Sequence, residues 1–374
     1  MRVLHLISGG DTGGAKTHVI TLLQELKQKI DIELVCLSEG VFFEEAKKSG
    51  IKAKLFEQKS RLDYTSIREL VQYLQSQNFD LLHCHGARAN FVSNYIRKRV
   101  DIPIVTTIHS DYRLDFENQL YKKIIFTYLN RISLKKMDFF LTVTDTFKKM
   151  MSSEGFSEDR MYTIYNGVKP QHWIKSYSKQ TSATLTFGCA TRLVPIKGTD
   201  VLLEAANICK EEGYSFKILI AGHGEKKYTE RLHSYVEEHE LKTHVEFLGF
   251  VKDMQSFYEK IDVNILPSYT ESFPYALLEG GERAIATIAS RAGGIVEMIE
   301  NDVTGKLFDV GDAKTLATIM MDMINRQYDL EKLGLQFREK IHQSFSDAAM
   351  ANRHVEIYTN ILERVHKNPL NKEA

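Results

Sequence analysis

Few cysteines, no surplus of either charge and no long apolar run: what this sequence lacks narrows its class first. Cys36, Cys84, Cys189 and Cys209 are scattered without paired spacing through 374 residues, which argues against a disulfide framework and for reduced, mostly buried thiols. Lys plus Arg and Asp plus Glu number 49 each. No global field recruits nucleic acid, and none is expected as a partner. No stretch approaches the ~20 apolar residues that span a bilayer. The opening "MRVLHLISGG" has one basic residue and a short apolar run cut off by glycine, unlike a secretory signal. A cytoplasmic location is expected.

Two phosphate-loop signatures are missing as well. The glycine stretch "SGGDTGGAKTHV" (8–19) does not space its glycines as G-x-G-x-x-G, and "LVCLSEG" puts Glu39 past a serine instead of ending the run with an acid. That speaks against a dinucleotide fingerprint. "RLVPIKGTD" (192–200) lacks the glycine spacing of a Walker A loop.

What remains is a globular composition, 43% apolar and 26% charged, in a chain long enough for two domains of ~150 residues. Short apolar runs alternate with amphipathic stretches. "VLHLI" (3–7), "IELVCL" (32–37), "LLHCH" (81–85), "IVTTI" (104–108) and "FFLTV" (139–143) read as strands, with helical patterns at 15–28 and 65–77 between them. After the aperiodic "YNGVKPQHWIKSYSKQTSAT" (165–184) the alternation resumes with "TLTFGCA", "FKILIAG", "VEFLGF", "VNILP", "ATIAS" and "GKLFD". Strand-helix-strand repetition predicts parallel, doubly wound sheets. The expected fold is α/β: two Rossmann-like domains facing across a cleft, 1–168 and 169–351, with a C-terminal helix at about 352–374 crossing back to the first. Ligands of such sheets lie beyond the carboxyl ends of the strands.

Candidate chemistry clusters there. Gly9, Gly10, Gly13 and Gly14 precede a helix and make either a simple tight turn or a loop that admits a ligand close to the backbone. His109 ends "IVTTIH" and either caps the strand or meets a bound sugar. His83 and His85 share a strand face without Cys84. Two ligands make a weak metal site, so they are read as structural or substrate-lining. Arg192 and Lys197 precede a helix, as a solvated pair or as a fork and a point charge for a diphosphate. In "ESFPYALLEGGER" (271–283) Pro274 is expected to start a helix. Glu271 then lies in the loop ahead of it, and Glu279 projects from a helical face with nothing close in sequence to neutralise it.

In order and spacing these elements resemble one family, the retaining nucleotide-sugar glycosyltransferases of family 4, with GT-B architecture. The resemblance spans nearly the whole chain: "GGDTGGAKTHV", the histidine of "TTIHSDY", "NGV" at the link, "RLVPIKG", "AGHGE", "VEFLGFVKDM" and the Glu-x7-Glu of "ESFPYALLE". It implies that Arg192 and Lys197 hold the donor diphosphate and Glu279 the ribose. Glu271, with backbone N–H groups around Phe273 and Tyr275 on either side of the donor-lining Pro274, would grip the donor sugar. His109 would contact that sugar near the reacting carbon, so that His109, Lys197 and Glu271 are the catalytic set. Gly13 and Gly14 would line the cleft, with Gly10, His85 and Asn166 on the acceptor side. No cofactor and no metal is implied, protein cations standing in for one, and "FDVGD" (308–312) has the wrong spacing for an Asp-x-Asp motif. Ala190, Thr191, Lys169 and Ala286 depart from the common pattern at loop positions, not in the charged constellation.

The expected activity is transfer of a hexose or N-acetylhexosamine from a nucleoside-diphosphate sugar, UDP first, to a sugar, lipid-linked or protein-linked acceptor in bacterial cell-surface polysaccharide or glycoconjugate synthesis. Two readings stay beside it: a catalytically silent nucleotide-sugar-binding subunit and a nucleotide-sugar epimerase on the same frame. The segment "YKKIIFTYLNRISLKKM" (121–137) interleaves Lys122, Lys123, Arg131, Lys135 and Lys136 with Phe126 and Tyr128. It reads as a sheet-covering helix with a solvated face or as a peripheral contact with the inner face of a membrane.

Overall fold

A computed structural model describes residues 1–10, 13–60, 63–113, 120–177 and 184–369, with the side chains of 120–126 left out. The chain forms two compact units, Met1–Lys169 with Asp347–Ala374, and Pro170–Ser346.

The first unit is built on seven strands: β1 (Arg2–Ile7), β2 (Asp31–Cys36), β3 (Ala53–Leu55), β4 (Leu81–His85), β5 (Ile104–Ile108), β6 (Phe139–Thr142) and β7 (Met161–Thr163). Their order is β3-β2-β1-β4-β5-β6-β7 and every pairing is parallel. Both faces are covered, which is why the runs are near-continuously apolar. β3 and β7 leave no signal in the sequence, because three residues at a sheet edge are too short to show a period. On one face Val3, Ile7 and Val105 share a core with Ile357, Tyr358 and Ile361 of the helix Asp347–Lys367.

The second unit has β8 (Leu185–Ala190), β9 (Phe216–Ala221), β10 (Val245–Gly249), β11 (Val263–Leu266), β12 (Ala286–Ser290) and β13 (Lys306–Phe308), all parallel, in the order β10-β9-β8-β11-β12-β13. Each sheet is thus doubly wound, and its direction of winding reverses between β1 and β4 in the first unit and between β8 and β11 in the second. Loops leaving the carboxyl ends at such a switch point diverge to opposite faces and leave a crevice for ligand. Among the described residues no helix is long and apolar enough to cross a membrane.

Candidate active site

At the β8/β11 switch point two loops meet. Past β8 the chain carries Arg192, a short turn Pro195–Lys197 and then the helix Thr199–Glu211; past β11 it carries Ser268 and Glu271 before the helix Tyr275–Glu282. Lys197 Nζ donates to Glu271 Oε1 at 2.6 Å, and the two side chains are only 16% and 8% exposed. Ser268 Oγ donates to the same oxygen at 2.8 Å. The lysine is therefore preorganised by a carboxylate that is itself tied to its own loop.

Backbone contacts fix this meeting. Tyr269 N–H donates to the Ile196 carbonyl at 2.9 Å. Gly198 has φ 64°, and a Cβ there would lie 2.1 Å from the Pro267 carbonyl oxygen. Gly293 has φ 49°, and a Cβ there would lie 1.9 Å from the Glu271 carbonyl oxygen. Only glycine lets both neighbours approach so closely with left-handed backbone. Arg192 is exposed, and among the described residues its guanidinium makes no hydrogen bond or ion pair. Its backbone is braced by "AGHGE": Leu193 N–H donates to the His223 carbonyl at 3.1 Å, and Glu225 N–H to the Leu193 carbonyl at 2.9 Å.

Pro274 is the N-cap of its helix, and the first helical residue is Tyr275, one position later than expected. With ψ 126° the proline is still extended, so its ring sets the entry to the helix and not its first turn. Phe273 is buried against Phe345 with ring centroids 5.0 Å apart. Glu279 is where the helix was expected to place it, but it does not stand alone. Tyr258 hydroxyl donates to Glu279 Oε2 at 3.2 Å, and Arg283, one turn on, donates to the Glu279 carbonyl at 2.9 Å. Burial raises the Glu279 carboxyl above its usual range, against the opposing pull of Tyr258 and Arg283. Among the described residues the Tyr258 contact is the one hydrogen bond to the Glu279 carboxylate, which keeps lone pairs to accept others. The neighbouring Glu282 has a different fate. It is 1% exposed and accepts from Gln171 N–H and faces His342 Nε2, each at 2.9 Å.

In the first unit Gly13 caps the helix Gly14–Leu26 with φ 67°, and among the described residues neither Gly10 nor Gly13 has atoms within 4 Å of where a Cβ would stand. His85 Nδ1 lies 3.2 Å from His109 Nε2. Asn166 Oδ1 lies 2.8 Å from His18 Nδ1, and the His18 ring meets that of His109 edge-on at 4.7 Å between centroids. The structure thus gathers the expected His85, His109 and Asn166 around one residue that was not expected, His18. It brings Lys197 and Glu271 into contact, and it seats Glu279 on a helix beyond them with Tyr258 and Arg283 as its partners.

Beside the two histidines of "HCH" the structure places a third and a fourth. In parallel register His5 stands opposite His83, and the C-terminal helix adds His354, whose ring lies 5.9 Å from that of His83. One ring nitrogen from each of His5, His83 and His85 lies within 4.8 Å of the others, and the same holds for His18, His85 and His109. No local spacing announces this, because the partners come from strands and helices far apart along the chain.

Two family models match the chain: Glycosyltransferase Family 4 over residues 12–172 and Glycosyl transferases group 1 over residues 175–342. An uncharacterized glycosyltransferase of Methanocaldococcus jannaschii is 25% identical over 338 residues, covering 87% of this chain and 89% of its own. The O-antigen biosynthesis glycosyltransferase WclY of Escherichia coli is 24% identical over 390 aligned positions, covering 98% of this chain and 100% of its own. Among solved structures, that of Anabaena Alr3699/HepE in complex with UDP and glucose has a TM-score of 0.81 at 20% identity, covering 96% of this chain and 100% of that one.

Proposed function

The chain belongs to the GT-B glycosyltransferases, and from that premise we propose that it transfers a hexose or N-acetylhexosamine from a UDP-sugar to a hydroxyl acceptor with retention of configuration. The observation that carries this reading is the Lys197–Glu271 pair at 2.6 Å, set by two loops at a switch point. A cation so placed suits a diphosphate, and the carboxylate beside it suits sugar hydroxyls. UDP as the donor nucleotide is supported by the HepE structure, which holds UDP and glucose. A role in surface-polysaccharide or glycoconjugate synthesis is supported by WclY, an O-antigen enzyme.

In the proposed reaction the bond between the anomeric carbon and the diphosphate oxygen breaks, and negative charge builds on the leaving phosphate. In this reading Lys197, held by Glu271, and Arg192, exposed in the same loop, stabilise that charge as it develops. The acceptor oxygen bonds to the anomeric carbon from the face the phosphate leaves, and its proton passes to a phosphate oxygen of the departing UDP. Glu271 orients the donor sugar, Glu279 accepts from the ribose diol, and His109 contacts the sugar near the reacting carbon. Protein cations hold the diphosphate, and a metal is not required for that task.

A thermal-shift screen against UDP-, GDP- and ADP-sugars, with and without EDTA, tests the donor, since a ligand of the folded state raises its melting temperature. Selective stabilisation by UDP-sugars is expected, with EDTA-resistant release of UDP and a product of unchanged anomeric configuration by NMR. An inverted product, or no shift with any nucleotide in a folded sample, would sink this reading.

The proposed acceptor is a sugar, lipid-linked or protein-linked hydroxyl, and the proposed membrane contact is the helix Leu120–Lys135. Tyr128, Arg131 and Lys135 are exposed along it at i, i+3 and i+7, while Lys122, Lys123 and Phe126 lie outside the described side chains. Binding to anionic liposomes should weaken with added salt and with Arg131→Glu and Lys135→Glu. Absent or salt-independent binding would exclude the contact.

A further inference from the structure

We infer that His18, His85 and His109 form a binding site for a divalent transition-metal ion, zinc being the ion their chemistry fits best. One ring nitrogen from each lies within 4.8 Å of the other two. A tetrahedral zinc with bonds of about 2.0–2.1 Å to imidazole separates its nitrogen ligands by about 3.3 Å. His85 Nδ1 and His109 Nε2 are already 3.2 Å apart, which is one edge of such a site.

Two of the three outer nitrogens are held as a metal site needs. His18 Nδ1 lies 2.8 Å from the amide oxygen of Asn166, so that nitrogen carries the proton and Nε2 presents a lone pair. Among the described residues that Nε2 is buried and has no hydrogen-bond partner, in a residue 1% exposed. A buried lone pair without a donor is costly unless something fills the space before it. His85 Nε2 is engaged by His5 Nδ1 at 3.0 Å. Metal-bound histidines are oriented in this way, through the nitrogen that does not touch the ion.

The companion group does not qualify. His83 spends both nitrogens elsewhere, on Tyr358 hydroxyl at 2.5 Å and Thr107 hydroxyl at 2.7 Å. His5, His83 and His85 are also sealed from solvent, whereas His109 is only partly buried. Three imidazoles leave a fourth position for water. Zinc at this place would occupy His109, which the proposed function sets against the donor sugar. Occupancy should therefore inhibit transfer, and this last step rests on that reading.

The full chain, stripped with a chelator, is titrated with Co²⁺ and then with Zn²⁺. One equivalent of Co²⁺ should give the visible bands of a four- or five-coordinate ion, displaced by Zn²⁺, with three nitrogen ligands by X-ray absorption. His18→Gln and His85→Gln should each weaken binding at least tenfold, and His5→Gln by about 10-fold or more through loss of orientation. Zinc should inhibit transfer by the wild type reversibly with EDTA, and what activity His18→Gln retains should be zinc-insensitive. No stoichiometric Co²⁺ spectrum from folded wild type, sulfur in the first shell, or unchanged affinity in folded variants would overturn the site. Binding is measured directly, so a failure of the sugar-transfer reading would leave the metal site standing or falling on its own spectrum. If a variant does not fold, the wild-type spectrum and its ligand count decide.

Discussion

Lys197→Ala should lower kcat by about 10²–10³-fold, the range seen when one preorganised donor to a developing anion is removed. Lys197 closes a turn after β8, Glu271 follows β11, and the two meet at 2.6 Å with little exposure. The lysine charge is worth most when the leaving phosphate gains its own, so the loss should fall on kcat more than on the donor KM. A second effect has to be separated from this one. Removing the cation leaves Glu271, 8% exposed, with Ser268 as its remaining side-chain donor among the described residues. Breaking a buried pair from one side costs about 3–5 kcal/mol. Glu271→Gln keeps the shape and the capacity to accept from Ser268 without the charge, so Lys197→Ala combined with Glu271→Gln should regain much of the lost melting temperature and none of the lost turnover. Near wild-type kcat in Lys197→Ala would remove Lys197 from the diphosphate site. Recovery of turnover in the double variant would make the pair merely structural.

The parts of this site that can be read in the sequence are those set by local order along the chain. β4, β5 and β12 have the bounds of their apolar runs, and the loops after β8 and β11 can be placed because strands and helices alternate cleanly there. Lys197, Glu271 and Glu279 are legible as charges at strand and helix ends. What is not legible depends on register and on close approach. Gly198 and Gly293 matter because carbonyl oxygens of distant loops rest against them, and a single glycine in a loop does not say what touches it. Arg283 lies only four residues from Glu279, but the two are connected only once the helix fixes its phase. The histidine cluster is the clearest case. His5 meets His83 through the β1/β4 register, and His354 arrives from a helix near the other end of the chain. A period of two predicts which residues share a face, but not which faces meet.

That cluster should make the first unit unusually sensitive to mild acid. His5, His83, His85 and His109 are held well below the usual imidazole range, mainly by burial, with His18 lowered to about 4 and His354 to about 3. The sign follows from proton counting. Between pH 6.5 and about 4 the unfolded chain binds protons on these rings and the folded one does not, so stability rises with pH across that window. The stabilisation is complete above about pH 6.5 and is lost as pH falls toward the folded-state values. For His18 alone a shift from 6.5 to about 4 corresponds to about 3 kcal/mol. The rings sit within one another's fields, so their effects do not add. Two or three such groups still suffice to consume much of a domain's ~5–15 kcal/mol. Other titratable groups nearby do not cancel this. Tyr358 is held neutral by burial, with its pKa raised well above the usual value, and Asp347 on the same helix is raised from 3.8, so it acts in the opposite sense but only toward the acid end. Denaturant unfolding in EDTA, from pH 7.5 to 4.5, should therefore show stability falling steeply from near pH 6.5, with proton uptake on unfolding greater than one. His354→Gln should flatten that slope by about one proton without changing its onset. A curve that stays level to pH 5 would mean that water or an ion reaches these rings and lets them charge in the folded state.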